Sequence, residues 1–327
     1  MRKTSVIILI LFMMVLCYFT AITANNVFRT DWQLPKLVVS NQEQKRLVLI
    51  TQDRDTPFWN KVSSGATKQS EIERISLEVW GSYGNNEEDF LKNIEIAIHS
   101  KVDGIIVQGL DTDEFKNLTK IKASFYGIPI ITIANDVPIK DSLRRTYVGS
   151  NQYLAGKLIA EQLIQDMGQT GKVVLMIDSK QEFFQNERLR GIEEVLLKYK
   201  DINIVYAKTV DTTKENVVIA TQDILNREPD ADAYIAVNAN VVGTLVSVIG
   251  KRYQIEPYYL YSFDDSPDSL TLLQEGKMDA MVEQSPEKMG ELSVQLMLDW
   301  LNGEKVPLDQ NGYLTDIKIV KADGKNE

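Results

Sequence analysis

From Arg46 onward the chain repeats one pattern, a short apolar run rich in Val and Ile followed by a longer amphipathic stretch. The runs predict strands at Leu47 to Thr51, Leu77 to Trp80, Gly104 to Gln108 and Ile128 to Ile133. A second set is predicted at Lys172 to Ile177, Ile202 to Tyr206, Ala233 to Val237 and Tyr258 to Phe263. Between them apolar positions recur three and four apart, as around Asn93, Ile94, Ala97, Ile98 and Lys101, which is the spacing of one helix face. Strands that are apolar on both sides and separated by helices imply a parallel sheet covered on both faces. The two sets share order and length, so two doubly wound lobes are expected, with Tyr147 to Asn151 crossing between them. Ligands of such sheets bind beyond the C-terminal ends of the strands.

The apolar pattern differs at the N-terminus. Arg2 and Lys3 precede an uncharged stretch from Thr4 to Ala24, which as a helix would span about 30 Å, the thickness of a bilayer core. The leading cations favour a cytoplasmic N-terminus and place everything after Asn25 outside the membrane. An uncleaved anchor, a cleaved signal and a lipoprotein acylated at Cys17 are the three readings. Ile22 stands where a cleavage site wants a small residue, and Leu16 stands where a lipoprotein signal carries Gly, Ala or Ser. All three put the body outside the cytoplasm. The polar stretch that follows, with Pro35, Asn41 and Gln42, reads as a linker.

Composition narrows the chemistry. A length of 327 residues suggests about two domains, and 44% hydrophobic residues suit globular cores. The net charge of −10, from 36 cations and 46 carboxylates, repels nucleic acid. One Cys and one His exclude a disulfide within the chain and most metal sites. There is no P-loop, no G-x-G-x-x-G and no Gly-flanked nucleophilic Ser. His99 lies in a helical stretch far from any strand end, where a surface role is expected.

The strand ends carry the remaining signal. Thr51 is followed by Gln52, Asp53 and Thr56, then by Phe58 and Trp59 at a helix start. Gln108 and Asp111 follow the third strand, and Ala134, Asn135 and Asp136 the fourth. The second set ends in Asp178 and Ser179, then Asn238, then Phe263, Asp264 and Asp265. Amide and carboxylate groups match vicinal hydroxyls, aromatic rings match the C–H face of a sugar, and Arg188 adds a fork of donors. Each such residue alone is more often a helix cap than a ligand contact, but their recurrence points to a polar cleft.

These residues, taken in order, resemble the sugar-binding, ribose-binding-protein-like branch of the type I periplasmic binding proteins, over about Arg46 to Val320. Thr56-Pro57-Phe58-Trp59 looks like the first ligand loop, and Asp103-Gly104-Ile105-Ile106-Val107-Gln108 like the family's third strand. Arg145 to Asn151, with Ala155-Gly156, resembles the lobe crossing. Arg188-Leu189-Arg190-Gly191 is similar to the R-x-x-G helix, Phe263-Asp264 to the F-D pair, and Gln284-Ser285-Pro286 to the Q-x-P that closes the site.

The resemblance implies two lobes joined by a three-crossing hinge, clamping a monosaccharide, pentose or hexose, without catalysis and without a cofactor or metal. Carried onto this chain it gives an N-terminal lobe of residues 46–150 and 285–311, and a C-terminal lobe of 151–284 and 312–320. Before them stand a membrane segment (1–24) and a linker (25–45), and after them a tail (321–327). The expected ligand-binding set is Thr51, Thr56, Phe58, Trp59, Gln108, Asn135, Asp136, Ser150, Arg188, Asn238, Phe263, Asp264 and Gln284. The implied partner is a membrane histidine kinase or an ABC permease. Two departures bear on ligand identity. Ala134 stands where the family's fourth strand commonly ends in Asp, and no aromatic stands near Val210, leaving Phe183 or Phe184 to stack.

Overall fold

The Val- and Ile-rich runs become the central strands of two six-stranded sheets in a computed structural model that describes residues 13–23, 44–82, 86–179, 181–252, 257–264 and 267–322. The first sheet has the order β11-β5-β4-β3-β1-β2 and the second β12-β10-β9-β8-β6-β7. In chain order the first holds β1 (Arg46–Thr51), β2 (Ser76–Gly81), β3 (Gly104–Gln108), β4 (Ile130–Ile133) and β5 (Thr146–Gly149). The second holds β6 (Thr170–Asp178), β7 (Asp201–Thr209), β8 (Ala233–Ala236), β9 (Tyr259–Phe263) and β10 (Ala280–Glu283). Then β11 (Tyr313–Leu314) returns to the first sheet and β12 (Lys318–Lys321) to the second. All pairings are parallel except β10 with β12. Strands such as β3 and β4 are buried along their whole length because helices cover both faces.

The helices that set the cleft are α1 (Pro57–Glu73), α2 (Glu87–His99), α3 (Asp113–Lys116), α4 (Ile139–Ser142), α5 (Gln152–Met167), α6 (Phe183–Leu196), α7 (Lys214–Arg227), α8 (Val242–Ile249), α9 (Pro267–Gln274) and α10 (Pro286–Leu301). Their starts are written in the sequence. Thr56, Asn86, Thr112 and Asn151 each cap a helix through a side-chain oxygen, and Pro57 and Pro286 sit in first turns where no N–H is needed.

Each lobe contains one pair of helices in close approach, and glycine permits it. In the first lobe a Cβ on Gly65 would stand 2.0 Å from the Glu287 carbonyl oxygen, and one on Gly290 would stand 2.0 Å from that of Val62. In the second a Cβ on Gly156 would stand 2.0 Å from the Arg188 carbonyl oxygen, and one on Gly191 would stand 2.1 Å from that of Tyr153.

Two expectations change. The segment Tyr147 to Asn151, read as a crossing, begins inside β5, and the crossing itself is Ser150 and Asn151. The stretch 312–320, expected to belong wholly to the C-terminal lobe, contributes to two strands in different sheets. Tyr313 and Leu314 pair with Val148 and Gly149 of the first sheet, so the chain enters the second lobe after residue 314 and not at 312. Of the expected membrane helix and linker, residues 13–23 are helical with an exposed Cys17, while 1–12 and 24–43 lie outside the described residues. Among the described residues no helix is long and apolar enough to cross a membrane.

Asp166, on α5, ties three elements of the second lobe. It accepts hydrogen bonds from the Tyr261 hydroxyl of β9 at 2.7 Å, Gln162 at 2.9 Å and Lys321 of β12 at 3.1 Å. Partial burial opposes its charge, yet these three donors outweigh it and hold the carboxyl below its ordinary 3.8. A lowered folded-state pKa gives stability that is present above 3.8 and lost as pH falls through the folded value. Asp166→Asn should therefore be less stable than the parent at neutral pH, and the difference should shrink as pH drops below about 4, read by denaturant titration across pH. Gly156→Val should lower unfolding free energy by about 2 to 3 kcal/mol through overpacking of α5 on α6. Thermal unfolding checks it, and an unchanged midpoint would mean that the helices yield freely.

Candidate functional site

The polar strand ends converge on a cleft of about 790 Å³ between the two sheets. Nine of the thirteen expected residues line it: Thr56, Phe58, Trp59, Gln108 and Asn135 from the first lobe, and Arg188, Asn238, Asp264 and Gln284 from the second. Cap and cleft roles coincide at two of them. The Thr56 hydroxyl accepts from the Trp59 N–H at 3.3 Å, and the Asn238 side-chain oxygen accepts from the Asn240 N–H at 3.1 Å.

Arg188 sits at the centre with only 2% of its surface exposed. It lies on the face of α6 shared with Phe184 and Gln185, four and three residues earlier. Its guanidinium is held between two rings, 4.3 Å from the Phe263 centroid and 5.0 Å from that of Phe184. Nε donates to Gln152 Oε1 at 2.8 Å, one terminal nitrogen donates to the Val237 carbonyl at 3.1 Å, and the other to Asp264 Oδ2 at 3.0 Å. Gln152 Nε2 donates to Gln284 Oε1 at 3.0 Å, and Gln284 Nε2 donates to Asp264 Oδ1. The four side chains thus close a ring, Arg188 to Asp264 to Gln284 to Gln152 and back. Asp264 reaches its place in the left-handed backbone region, φ 65°, and Ala134, at the end of the equivalent strand of the first lobe, has φ 62°.

The other walls are also fixed by internal pairs. Gln108 accepts from the Gln52 N–H and donates to the Gln52 side chain, both at 2.9 Å. Asp178 accepts from Gln185 at 2.6 Å, Asn238 at 3.1 Å and Thr209 at 3.1 Å. Across the cleft Asn135 donates to Glu182 at 3.3 Å, so the lobes touch at that point. The far end is formed by Glu87 and by Val210, Asp211 and Thr212 after β7. Hydrogen bonds from Thr213 and Asn216 hold the Asp211 carboxyl below the usual carboxylate range.

Four expected residues do not line the cleft. Thr51 is wholly buried at the end of β1, packed against Gly81, and its hydroxyl has no hydrogen-bond partner among the described residues. Asp136 is taken up by Arg144, at 2.6 and 2.7 Å, and by the Thr132 hydroxyl at 2.7 Å. Ser150 is buried in the first crossing, 3.5 Å from the Thr315 hydroxyl. Phe263 supports the guanidinium from the core side. Asp265, another strand-end residue, lies outside the described residues. Gln152 and Gln185 were not anticipated, and Gln52, though a strand-end residue, stood outside the expected binding set. Gln185 carried a signal, its i−3 spacing from Arg188, whereas Gln152 had none beyond following the cap Asn151.

Electrostatically the cleft is acidic. Among the described residues lining it are eight carboxylates, Asp53, Glu87, Asp111, Asp178, Glu182, Asp211, Asp264 and Asp268, against the single cation Arg188. His99 lies away from it, on α2 beside Glu95 at 3.8 Å. The cleft thus offers oriented donors, acceptors and rings to a ligand that the lobes can enclose.

Two parallel-sheet lobes around a polar cleft define the class: a protein that holds a ligand between its domains. Residues 47–305 match the periplasmic binding protein domain, and the chain belongs to that family of substrate-binding proteins, not enzymes. It is 24% identical over 277 residues to the ribose import binding protein RbsB of Salmonella typhimurium, covering 84% of this chain and 90% of that one. The crystal structure of GanP, a glucose-galactose binding protein from Geobacillus stearothermophilus, superposes with a TM-score of 0.80 at 28% identity, covering 88% of this chain and 100% of that one. The XylFII-LytSN complex matches in fold, with a TM-score of 0.74 at 24% identity, covering 86% of this chain and 99% of that one.

Gln152→Leu removes both amide contacts of the ring while keeping an apolar bulk. It should leave Arg188 Nε and Gln284 Oε1 without their partner and cost about 2 kcal/mol of unfolding free energy. Chemical denaturation measures this, and no loss would show that water replaces the amide at no cost.

Proposed function

We propose that this protein is an extracytoplasmic sugar receptor, which closes its lobes on a pentose or hexose unit and presents the loaded form to a membrane partner. The observation that carries the reading is the closed polar ring around Arg188, set between aromatic rings in a cleft rich in acceptors. Phe58 and Trp59 supply ring contacts. Arg188 and Asp264 supply charge-assisted hydrogen bonds, and Gln108, Asn238 and Gln284 neutral ones. Closure excludes water, so a mismatched hydroxyl leaves a buried group unpaired at a cost of about 1 to 3 kcal/mol, and this gives specificity. The relatives named for ribose import and for glucose-galactose binding support the ligand class.

The N-terminal segment, with Arg2 and Lys3 before an apolar stretch, suits a receptor fixed at the membrane with its body outside. A fixed receptor fits contact with a histidine kinase, while the import relatives favour delivery to an ABC permease. Co-purification with a kinase or with a permease and its ATPase separates the two.

Isothermal titration of the full chain in a non-glycosidic detergent should give binding with at least one neutral pentose or hexose. Uronates and sugar phosphates should give none, because the acidic cleft repels them. Phe58→Ala should weaken the sugar about tenfold, or 1.4 kcal/mol. A folded chain that binds no neutral sugar would overturn the reading.

A further inference from the structure

The hydrogen bonds of the first-lobe wall fix which end of each amide faces where. A backbone N–H can only donate, so the atom of Gln108 that meets the Gln52 N–H at 2.9 Å is its Oε1. The other end of Gln108 is then Nε2, and the atom of Gln52 that meets it at 2.9 Å must accept, which makes that atom Oε1. Gln52 Nε2 is left over. Among the described residues it finds no acceptor, yet it is not sealed in as the neighbouring Thr51 hydroxyl is. Gln52 lines the cleft, so this nitrogen reaches the ligand space with both of its hydrogens unused.

The pair is held in place before any ligand arrives. Both side chains are buried, each 6% exposed, at the ends of the paired strands β1 and β3. Beyond Gln108 the Gly109 N–H donates to the Asn135 carbonyl at 3.0 Å, and a Cβ on Gly109 would stand 2.5 Å from that oxygen. The end of β3 is thereby seated against the turn that follows β4. Gln108 has its oxygen and one amide hydrogen committed to Gln52, whereas Gln52 has only its oxygen committed to Gln108. On the second lobe the same rule, started from Arg188 Nε, runs through Gln152 and Gln284 and ends at the Asp264 carboxylate, which can only accept. A free donor on one wall and an acceptor on the other suit a polyol, because each of its hydroxyls can do both.

We propose that Gln52 is a specificity-determining contact of the first lobe, donating through Nε2 to one sugar oxygen, and that Gln108 acts mainly by pointing it there. The proposal rests on the sugar-receptor reading and adds to it a residue outside the expected set. A ligand that lacks the oxygen opposite Gln52 leaves a buried amide unpaired once the lobes close, and that loss is how the position discriminates.

Calorimetry on the full chain with neutral pentoses and hexoses, D-ribose, D-glucose and D-galactose among them, tests this. Gln52→Glu keeps an oxygen for Gln108 Nε2 and replaces the free donor with an acceptor. It should weaken a sugar that binds the parent tenfold or more at neutral pH, and the deficit relative to the parent should shrink as pH falls and the carboxyl protonates, because the acid donates again. A merely structural loss would not recover in this way. One monodeoxy analogue of that sugar should bind the parent at least tenfold more weakly than the sugar itself, yet within twofold of it in Gln52→Ala. Gln108→Leu should weaken binding in the parent background and by less than twofold when added to Gln52→Ala. Thermal unfolding shows which variants fold, and the alanine variant, which brings no charge, carries the test if the glutamate variant does not. If Gln52→Ala binds every sugar within twofold of the parent, or if Gln108→Leu weakens binding equally in both backgrounds, the proposal falls and the sugar reading stands. If no neutral pentose or hexose binds the folded parent, both fall.

Discussion

A guanidinium cannot be carried into a protein interior unless nearly every donor finds an acceptor and its charge finds an opposite one. Arg188 meets that condition only through groups drawn from distant parts of the chain: Gln152 at the start of α5, the carbonyl of Val237 beyond β8, and Asp264 beyond β9. Two members of the ring, Gln152 and Gln284, stand beside the first and second crossings between the lobes. The demand of one buried charge therefore fixes the strand ends of the second lobe and the joints of the hinge together. The remaining crossing is tied in by smaller contacts, Ser150 with Thr315 and the Ser285 hydroxyl with the Asp316 carbonyl at 2.9 Å.

The lobes share an internal logic. Each rests on a parallel sheet and on one glycine-mediated helix pair, α1 with α10 and α5 with α6. Each turns into the cleft through a left-handed residue, Ala134 or Asp264. The symmetry stops at chemistry. Asp264 turns its carboxylate into the ring, while Ala134 presents a methyl group, so the binding charge is concentrated on the second lobe. The first lobe contributes rings and the paired amides Gln52 and Gln108.

Most of the fold was legible in the sequence because buried parallel strands are apolar on both faces. β1, β3, β4 and β6 stand out as Val- and Ile-rich runs for that reason, and β8 and β9 as short apolar runs that include Tyr. β5, β10 and β11 did not. They are two to four residues long, and their state is set by the neighbours they pair with. The cleft was legible to a similar degree. Strand ends could be located, but not the partner each side chain would find once folded. Asp136 and Asp264 look alike in sequence, yet a bidentate Arg144 takes the first out of the cleft and Arg188 draws the second in. Gln152 shows the converse, an ordinary amide whose importance comes wholly from contacts 36 and 132 residues away along the chain.

The last two strands carry a consequence for synthesis. β11 completes one edge of the first sheet and β12 one edge of the second, and both lie within residues 313–321. Until that stretch emerges from the ribosome, β5 and β10 each present an open edge, and the third strap of the hinge does not exist. The final architecture is therefore reached only after nearly the whole polypeptide has been made. Such late closure keeps the two lobes from being strapped together before the chain is complete.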